Sequence, residues 1–124
     1  MVERREQDDW AIFTYSAEQA VADGVLVEVD RELREEMGYR WPVRLSQDMA
    51  AMVNPSEEDR RMGQSKEGRL WDLLFVSKLA LQGADPDERV VAFDILFGRR
   101  TSRLWACLDT TSGPAIHIIT PEEY

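Results

Sequence analysis

One stretch of this chain, residues 66–82, limits the choice of fold more than any other, because its apolar side chains recur at helical spacing. It begins near Lys66 and ends at Gln82, where Gly83 suits a helix cap. A helix with a wide apolar face is typical of a central helix that packs against more than one partner. The apolar residues are Leu70, Leu73, Leu74, Val76 and Leu81, with Trp71, Phe75 and Leu79 widening the face.

Three segments after this helix alternate apolar and polar residues and are predicted to be strands, namely 89–97, 103–109 and 115–120. The connections between them, residues 98–102 and 110–114, have the length of hairpin loops. Because short connections join antiparallel neighbours, the C-terminal half is expected to form a β-meander with the long helix across one face.

The first half of the chain contains shorter elements. Helices are predicted over 17–23, 31–37 and 47–53, with Ser16, Asp30 and Ser46 at their N-caps. Residues 25–29 are predicted to form a strand, 39–43 to be extended, and the polar residues 54–65 to be a mobile loop. The fold class is therefore α+β, with short N-terminal helices plus one long central helix packed on a three- to four-stranded antiparallel β-meander.

The net charge of −9 is concentrated in the first half of the 124-residue chain. Residues 1–62 contain 15 acidic and 8 basic residues, whereas residues 63–124 contain 9 and 7. An acidic surface repels phosphates, so general nucleic-acid binding is disfavoured. Solubility alone would account for this charge, and so would a surface that competes for a basic groove in another protein.

The same composition predicts one domain in the cytoplasm. We expect a frayed acidic N-terminus, residues 1–9, followed by a single globular domain, residues 10–124, since this length suits one core. The only cysteine, Cys107, cannot form an internal disulfide. No stretch has the length and apolarity of a membrane span, and the first residues lack the hydrophobic run of a secretory signal.

Nucleophilic catalysis would require a pair formed by Cys107 and the single histidine, His117. Both occupy odd positions on neighbouring predicted strands and could therefore share a face of the sheet. The favoured interpretation is structural, with Cys107 as a small buried hydrophobic residue and His117 as a strand residue among isoleucines. We therefore predict no catalytic residue and lean against an enzyme.

Metal and nucleotide sites lack their usual signatures in this sequence. One cysteine and one histidine do not supply a zinc site, and no calcium-loop spacing occurs. The glycines are isolated, so no phosphate-binding loop is present and no cofactor is expected. A solvated charged face explains the acidic residues better than a metal site does. These residues are Asp8, Asp9, Glu35, Glu36, Glu57, Glu58 and Asp59.

Two groups of residues are candidates for contact with a partner. Arg99, Arg100 and Arg103 cluster at the first hairpin, where they could hold phosphates, face the acidic half of a second copy, or discourage aggregation at an edge. Trp41 precedes Pro42 in an extended segment and could anchor a partner, although packing is the favoured role. Trp71, on the long helix, is expected to lie in the core.

The segments Tyr15–Val29, Gly38–Val43 and Glu67–Leu74 occur in an order that resembles a family of small uncharacterised proteins, a domain of unknown function of bacterial, plasmid and phage genomes. The most specific segments are residues 22–26 and 67–72, and the likeness extends from about Ile12 to Tyr124. Because the family has no assigned activity, the resemblance implies no catalytic role. A mobile-element setting implies a small accessory or host-interaction protein.

The leading hypothesis is a non-enzymatic interaction protein that acts through an acidic face formed by Glu28, Glu32, Glu35 and Glu36, for example as an inhibitor that mimics nucleic-acid charge. One alternative is a small-ligand binder or enzyme that uses carboxylates in a cleft. The other is nucleic-acid binding through the hairpin of residues 99–103. A protein partner is expected, with a homodimer as an open alternative.

Overall fold

The computed structural model describes residues 26–110 and 113–123. The predictions of a frayed N-terminus over residues 1–9 and of a helix over residues 17–23 with Ser16 as its cap lie outside the described residues. So does most of the first segment that carries the family resemblance.

A five-stranded mixed sheet forms the centre of the described structure. The strand order is β1-β2-β5-β4-β3, and all neighbours are antiparallel except β2 and β5, which are parallel. The strands are β1 (Leu26–Glu28), β2 (Val43–Ser46), β3 (Val90–Phe97), β4 (Arg100–Asp109) and β5 (Ala115–Ile119).

The α+β class is confirmed, but the prediction of a three- to four-stranded antiparallel meander is wrong. The meander of β3, β4 and β5 exists, and β2 extends it by pairing in parallel with β5, so that Val43 lies opposite Ile116. Parallel pairing requires a long crossover, which the helices between β2 and β3 supply. Helix-cap and proline signals surround the short β2 segment in the sequence, and they obscure its strand character.

Four helices occur among the described residues: α1 (Arg31–Glu36), α2 (Gln47–Met52), α3 (Glu57–Arg61) and α4 (Lys66–Gln82). At each N-cap the side-chain oxygen accepts a hydrogen bond from the backbone N–H three residues later, which satisfies one free donor of the first turn. The caps are Asp30, Ser46, Ser56 and Ser65. A short 3₁₀ turn (Pro121–Glu123) follows β5.

The segment 54–65, predicted to be a loop, contains α3. Three acidic residues lie in the first turn of α3 and two arginines in its last turn, so both ends complement the helix dipole. The loop prediction is wrong here, because Pro55 and Gly63 lie at the two ends of a short helix that Ser56 caps. Gly63 has φ of +96°, a left-handed conformation that suits the end of this helix.

Helix α4 has the predicted bounds, but it is not a single central helix. Its buried residues are Leu73, Leu74 and Ser77, which pack towards the sheet, while the opposite side of the helix faces solvent. The sheet therefore covers only a narrow side of α4, and the wide apolar face in the sequence is only partly used.

The hydrophobic core lies between the sheet and these helices. Val91, Phe93, Ile95 and Phe97 of β3 alternate with exposed residues and point towards the helical layer. All five residues of β5 are buried, so both faces of this inner strand are covered. Within the described residues, we find no helix with the length and apolarity needed to cross a membrane.

Candidate functional site

A row of polar side chains crosses the sheet on the face opposite the core. Register places Glu28 beside Arg44, Arg44 beside His117, and His117 beside Cys107. The Arg44 Nε donates to Glu28 Oε1 at 3.1 Å, and Arg44 Nη1 lies 3.5 Å from His117 Nε2. Asp109 is two residues from Cys107 on β4, and its Oδ2 lies 3.8 Å from His117 Nε2. The sheet therefore brings together the only ionisable groups that sequence analysis considered for nucleophilic catalysis.

The electrostatics of this row do not favour nucleophilic chemistry. Burial lowers the pKa of His117 to about 4, an effect that nearby Asp109 opposes and Arg44 adds to, so the imidazole is neutral at pH 7. Burial also raises the pKa of the Cys107 thiol to about 11. Both residues are buried, and the thiol stays protonated. The Cys–His pair is adjacent in the sheet, as the strand parity predicted, yet its environment suits a structural role.

The four glutamates proposed as one acidic face lie in two places. Glu28 points to the outer sheet face, where it pairs with Arg44. Glu32, Glu35 and Glu36 are exposed on α1, which packs on the other side of the sheet through Leu33 and Met37. The α1 glutamates therefore form a separate group.

Two arginines on α1 partly neutralise the negative charge of its glutamates. The Arg31 Nε donates to Glu35 Oε2 at 3.1 Å, and both side chains are solvent-exposed. Arg34 donates through Nη1 to the carbonyl oxygens of Tyr39 and Arg40, at 3.3 and 3.2 Å. The exposed Arg31–Glu35 pair contributes little to stability.

The three arginines of the predicted hairpin patch do not act together. Arg103 Nε and Nη2 donate to the two carboxylate oxygens of Asp94, at 3.0 and 3.4 Å, and these bonds raise the pKa of Arg103. Arg100 lies opposite Phe97, which faces the core side, so Arg100 and Arg103 project from opposite faces of β4. Only Arg99 and Arg100 stay together, at the margin of a polar groove of about 600 Å³.

The wall of this groove contains an arginine that sequence analysis did not single out for this role. Arg69 Nε donates to Gln64 Oε1 at 2.8 Å, and its Nη2 donates to Asp59 Oδ2 at 2.9 Å. Its Nη1 donates to the Met52 carbonyl at 2.8 Å, and the guanidinium lies 5.1 Å from the centre of the Phe97 ring. Arg69 therefore fastens the α2–α3 region to α4 and is unavailable to a ligand.

An exposed apolar stripe is the most distinctive surface of α4. Trp71, Phe75 and Leu79 recur every four residues and are 45%, 44% and 53% exposed. The rings of Trp71 and Phe75 stack with centres 5.5 Å apart. The prediction that Trp71 lies in the core is therefore wrong, because the sheet covers only the side of α4 that carries Leu73 and Leu74. We call these three residues the α4 stripe.

Trp41 lies at a different surface, beside a cleft of about 370 Å³ between the C-terminal end of α4 and residues 38–41. The tryptophan is 42% exposed. Sequence analysis favoured a packing role for Trp41 and kept an exposed anchor for a partner as the alternative. Among the described residues, the carboxylates in the lining are those of Asp85 and Glu88, and both residues are exposed.

Within residues 26–110 and 113–123, no three His, Cys, Asp or Glu side chains group closely enough to hold a metal ion. Comparison of the chain with protein-family models, with curated proteins and with solved structures gives no match. The family resemblance stays a prediction. The α4 stripe was visible in the sequence as a four-residue repeat, whereas the bonds of Arg69 left no local signal.

Proposed function

We propose that this chain is a non-enzymatic interaction protein that binds a basic amphipathic helix of a partner protein on the α4 stripe. The observation that carries the proposal is the exposure of Trp71, Phe75 and Leu79 in one line along a helix. Single exposed apolar residues are common on soluble proteins, but three aligned large ones form a contiguous patch. Aromatic side chains also supply much of the binding energy at protein interfaces.

The stripe lies on a helix that is already supported in the unbound protein. Leu73 and Leu74 on the opposite side of α4 are fully buried. Tyr39 and Ser77 hydrogen-bond at 2.6 Å, and Lys78 Nζ donates to the Met37 carbonyl at 3.1 Å, so the end of α1 is fixed beside α4. A preformed binding surface loses little conformational entropy on association, which favours affinity.

The charges around the stripe favour a basic partner. Glu67 precedes Trp71 by four residues, and Asp72 precedes Phe75 by three, so both exposed carboxylates border the stripe. The chain as a whole carries a net charge of −9, which also favours a basic partner. An apolar ridge with lysines or arginines on its flanks would match this arrangement of apolar centre and charged rim. Amphipathic helices are commonly recognised through such apolar ridges.

The test uses a synthetic helical peptide of leucine and lysine in amphipathic order, with a scrambled peptide of identical composition as the control. Titration calorimetry measures binding to the wild type and to the double variant Phe75→Glu/Leu79→Glu. Leu96→Glu is the matched control, because Leu96 is 58% exposed on the outer face of β3. We expect the double variant to bind the ordered peptide at least about tenfold more weakly, and Leu96→Glu to bind like the wild type.

The salt dependence of binding, and the comparison of the ordered with the scrambled peptide, distinguish the proposed contact from non-specific charge attraction. Raising the salt concentration is expected to weaken binding without abolishing it, since the apolar contacts persist. Equal affinity for the ordered and scrambled peptides, or equal binding by the double variant and the wild type, would overturn the proposal. Sedimentation of the protein alone reports whether the stripe instead pairs with a second copy, an outcome that would also contradict it.

A further inference from the structure

We propose that the cleft beside Trp41 is a binding site for a small molecule with an apolar body and one anionic group, which Lys78 recognises. The cleft has a volume of about 370 Å³, within the range of small-molecule sites. Val91, Leu108 and Ile116 contribute to its lining from three adjacent strands. This site is separate from the α4 stripe and does not depend on the protein-binding proposal.

The lining of the cleft is mainly apolar, which suits the body of such a ligand. Val91 and Ile116 are core residues that are 8% and 4% exposed, so the cleft reaches the edge of the core. Leu81 contributes from the last turn of α4, and the half-exposed Trp41 offers an aromatic surface. Burial of an apolar ligand against these groups removes apolar surface from water on both sides.

Among the described residues that line this cleft, Lys78 is the least exposed charged one. The other charged groups in the lining are Arg40, Arg89, Asp85 and Glu88, and all four residues are exposed. Two positive and two negative groups balance one another at the rim. Lys78 is less exposed than these residues, so its ammonium sets the charge that a ligand inside the cleft meets.

The hydrogen bonding of Lys78 leaves donors for an anion. Its Nζ donates to the Met37 carbonyl at 3.1 Å, and a side chain at Gly38 would collide with that ammonium, so the glycine provides its space. No carboxylate of the described residues forms an ion pair with Lys78. An ammonium has three donors and the carbonyl takes one of them. A partly buried cation without a counter-ion is costly, and a bound anion offsets that cost.

The experiment compares two probes that share an apolar body and differ in charge, 3-phenylpropionate and 3-phenylpropan-1-ol. Binding to the wild type and to Lys78→Met is measured by titration of protein NMR spectra, with Lys66→Met, a lysine at the start of α4, as the matched control. We expect the wild type and Lys66→Met to bind the acid about tenfold more tightly than the alcohol, and Lys78→Met to lose this preference.

The comparison of the two probes on the wild type tests the proposal even if Lys78→Met folds poorly. Equal affinity for acid and alcohol, or no binding of either at millimolar concentration, would overturn it. A preference that persists in a folded Lys78→Met protein would also contradict it. Trp41→Ala is expected to weaken the binding of both probes, whereas Phe75→Glu/Leu79→Glu is expected to leave their binding unchanged. The proposal for this cleft and the proposal for the α4 stripe are therefore tested separately.

Discussion

The hydroxyl groups of Tyr39 and Ser77 lie 2.6 Å apart in the interior, where they join the segment after α1 to the buried side of α4. Ser77 Oγ also donates to the Leu74 carbonyl at 3.2 Å, so the tyrosine hydroxyl is the donor to Ser77. Burial raises the pKa of Tyr39 to about 12, which keeps the phenol neutral at physiological pH. Tyr39 also lines the cleft beside Trp41, so this contact adjoins the proposed small-molecule site.

Tyr39→Phe is expected to destabilise the protein by about 1–2 kcal/mol, because the buried serine oxygen loses its donor while the ring still packs. Urea unfolding of Tyr39→Phe, Ser77→Ala and the double variant measures the coupling between the two groups. If the two hydroxyls bond directly, Tyr39→Phe lowers the free energy of unfolding by less in the Ser77→Ala background than in the wild type. Strictly additive changes in the free energy of unfolding would refute the bond.

Gly38→Ala is expected to destabilise the protein more than Gly63→Ala does. Both glycines have positive φ, +89° and +96°, so a side chain causes backbone strain of about 1–2 kcal/mol at either position. At Gly38 a Cβ would also collide with Lys78 Nζ, whereas at Gly63 nothing lies within 4 Å. Thermal unfolding of the two variants thus separates backbone strain from the collision. Equal losses would show that Lys78 moves aside without cost.

Local elements of this fold follow from the sequence because their causes are local. Asp30 and Ser46 begin helices as predicted, since each side chain bonds the backbone N–H three residues later. The pairing of β2 with β5 was not predictable in this way, because it joins segments far apart in the chain through non-local contacts. The exposure of Trp71 likewise depends on which side of α4 the sheet covers.

The candidate sites show the same division between local and non-local causes. The separation of Arg100 and Arg103 follows from strand parity, since residues three apart point to opposite faces, but the predicted strand began only at residue 103. The cleft of Lys78 depends on the segment after α1, on α4 and on the sheet meeting in space. The sequence indicated that Trp41 could be accessible, but not what surrounds it.

Arg69→Ala is expected to destabilise the protein by about 3 kcal/mol, because three polar groups lose a charged donor at once. Arg69→Lys retains the charge but not the planar set of donors, so it should recover only part of the loss. Chemical denaturation measures the stability of both variants, and hydrogen exchange reports the protection of α3. Unchanged protection of α3 in Arg69→Ala would show that Arg69 does not hold this region.

Cys107 is expected to resist thiol reagents in the native protein. Its pKa of about 11 leaves almost no thiolate at pH 8, and only 6% of the residue is exposed. Reaction with a disulfide reagent should therefore be slow in buffer and should accelerate with denaturant as the protein opens. Cys107→Ser supplies the blank, and the unfolded wild type gives the rate of a free thiol. Native reaction at that free rate would contradict the burial of this group.

Acid is expected to destabilise the protein through His117. The pKa of this residue is about 4 in the folded state and about 6.5 in the unfolded chain, so between these values the unfolded state binds the extra proton. Stability is thus fully present above pH 6.5 and falls as the pH drops towards 4, by at most about 3 kcal/mol from this group. Glutamine does not titrate in this pH range, so His117→Gln removes this contribution to the pH dependence even if the substitution also changes the stability. Urea unfolding across this pH range should give a shallower pH dependence for His117→Gln, and identical dependence for both proteins would assign the acid sensitivity to other groups.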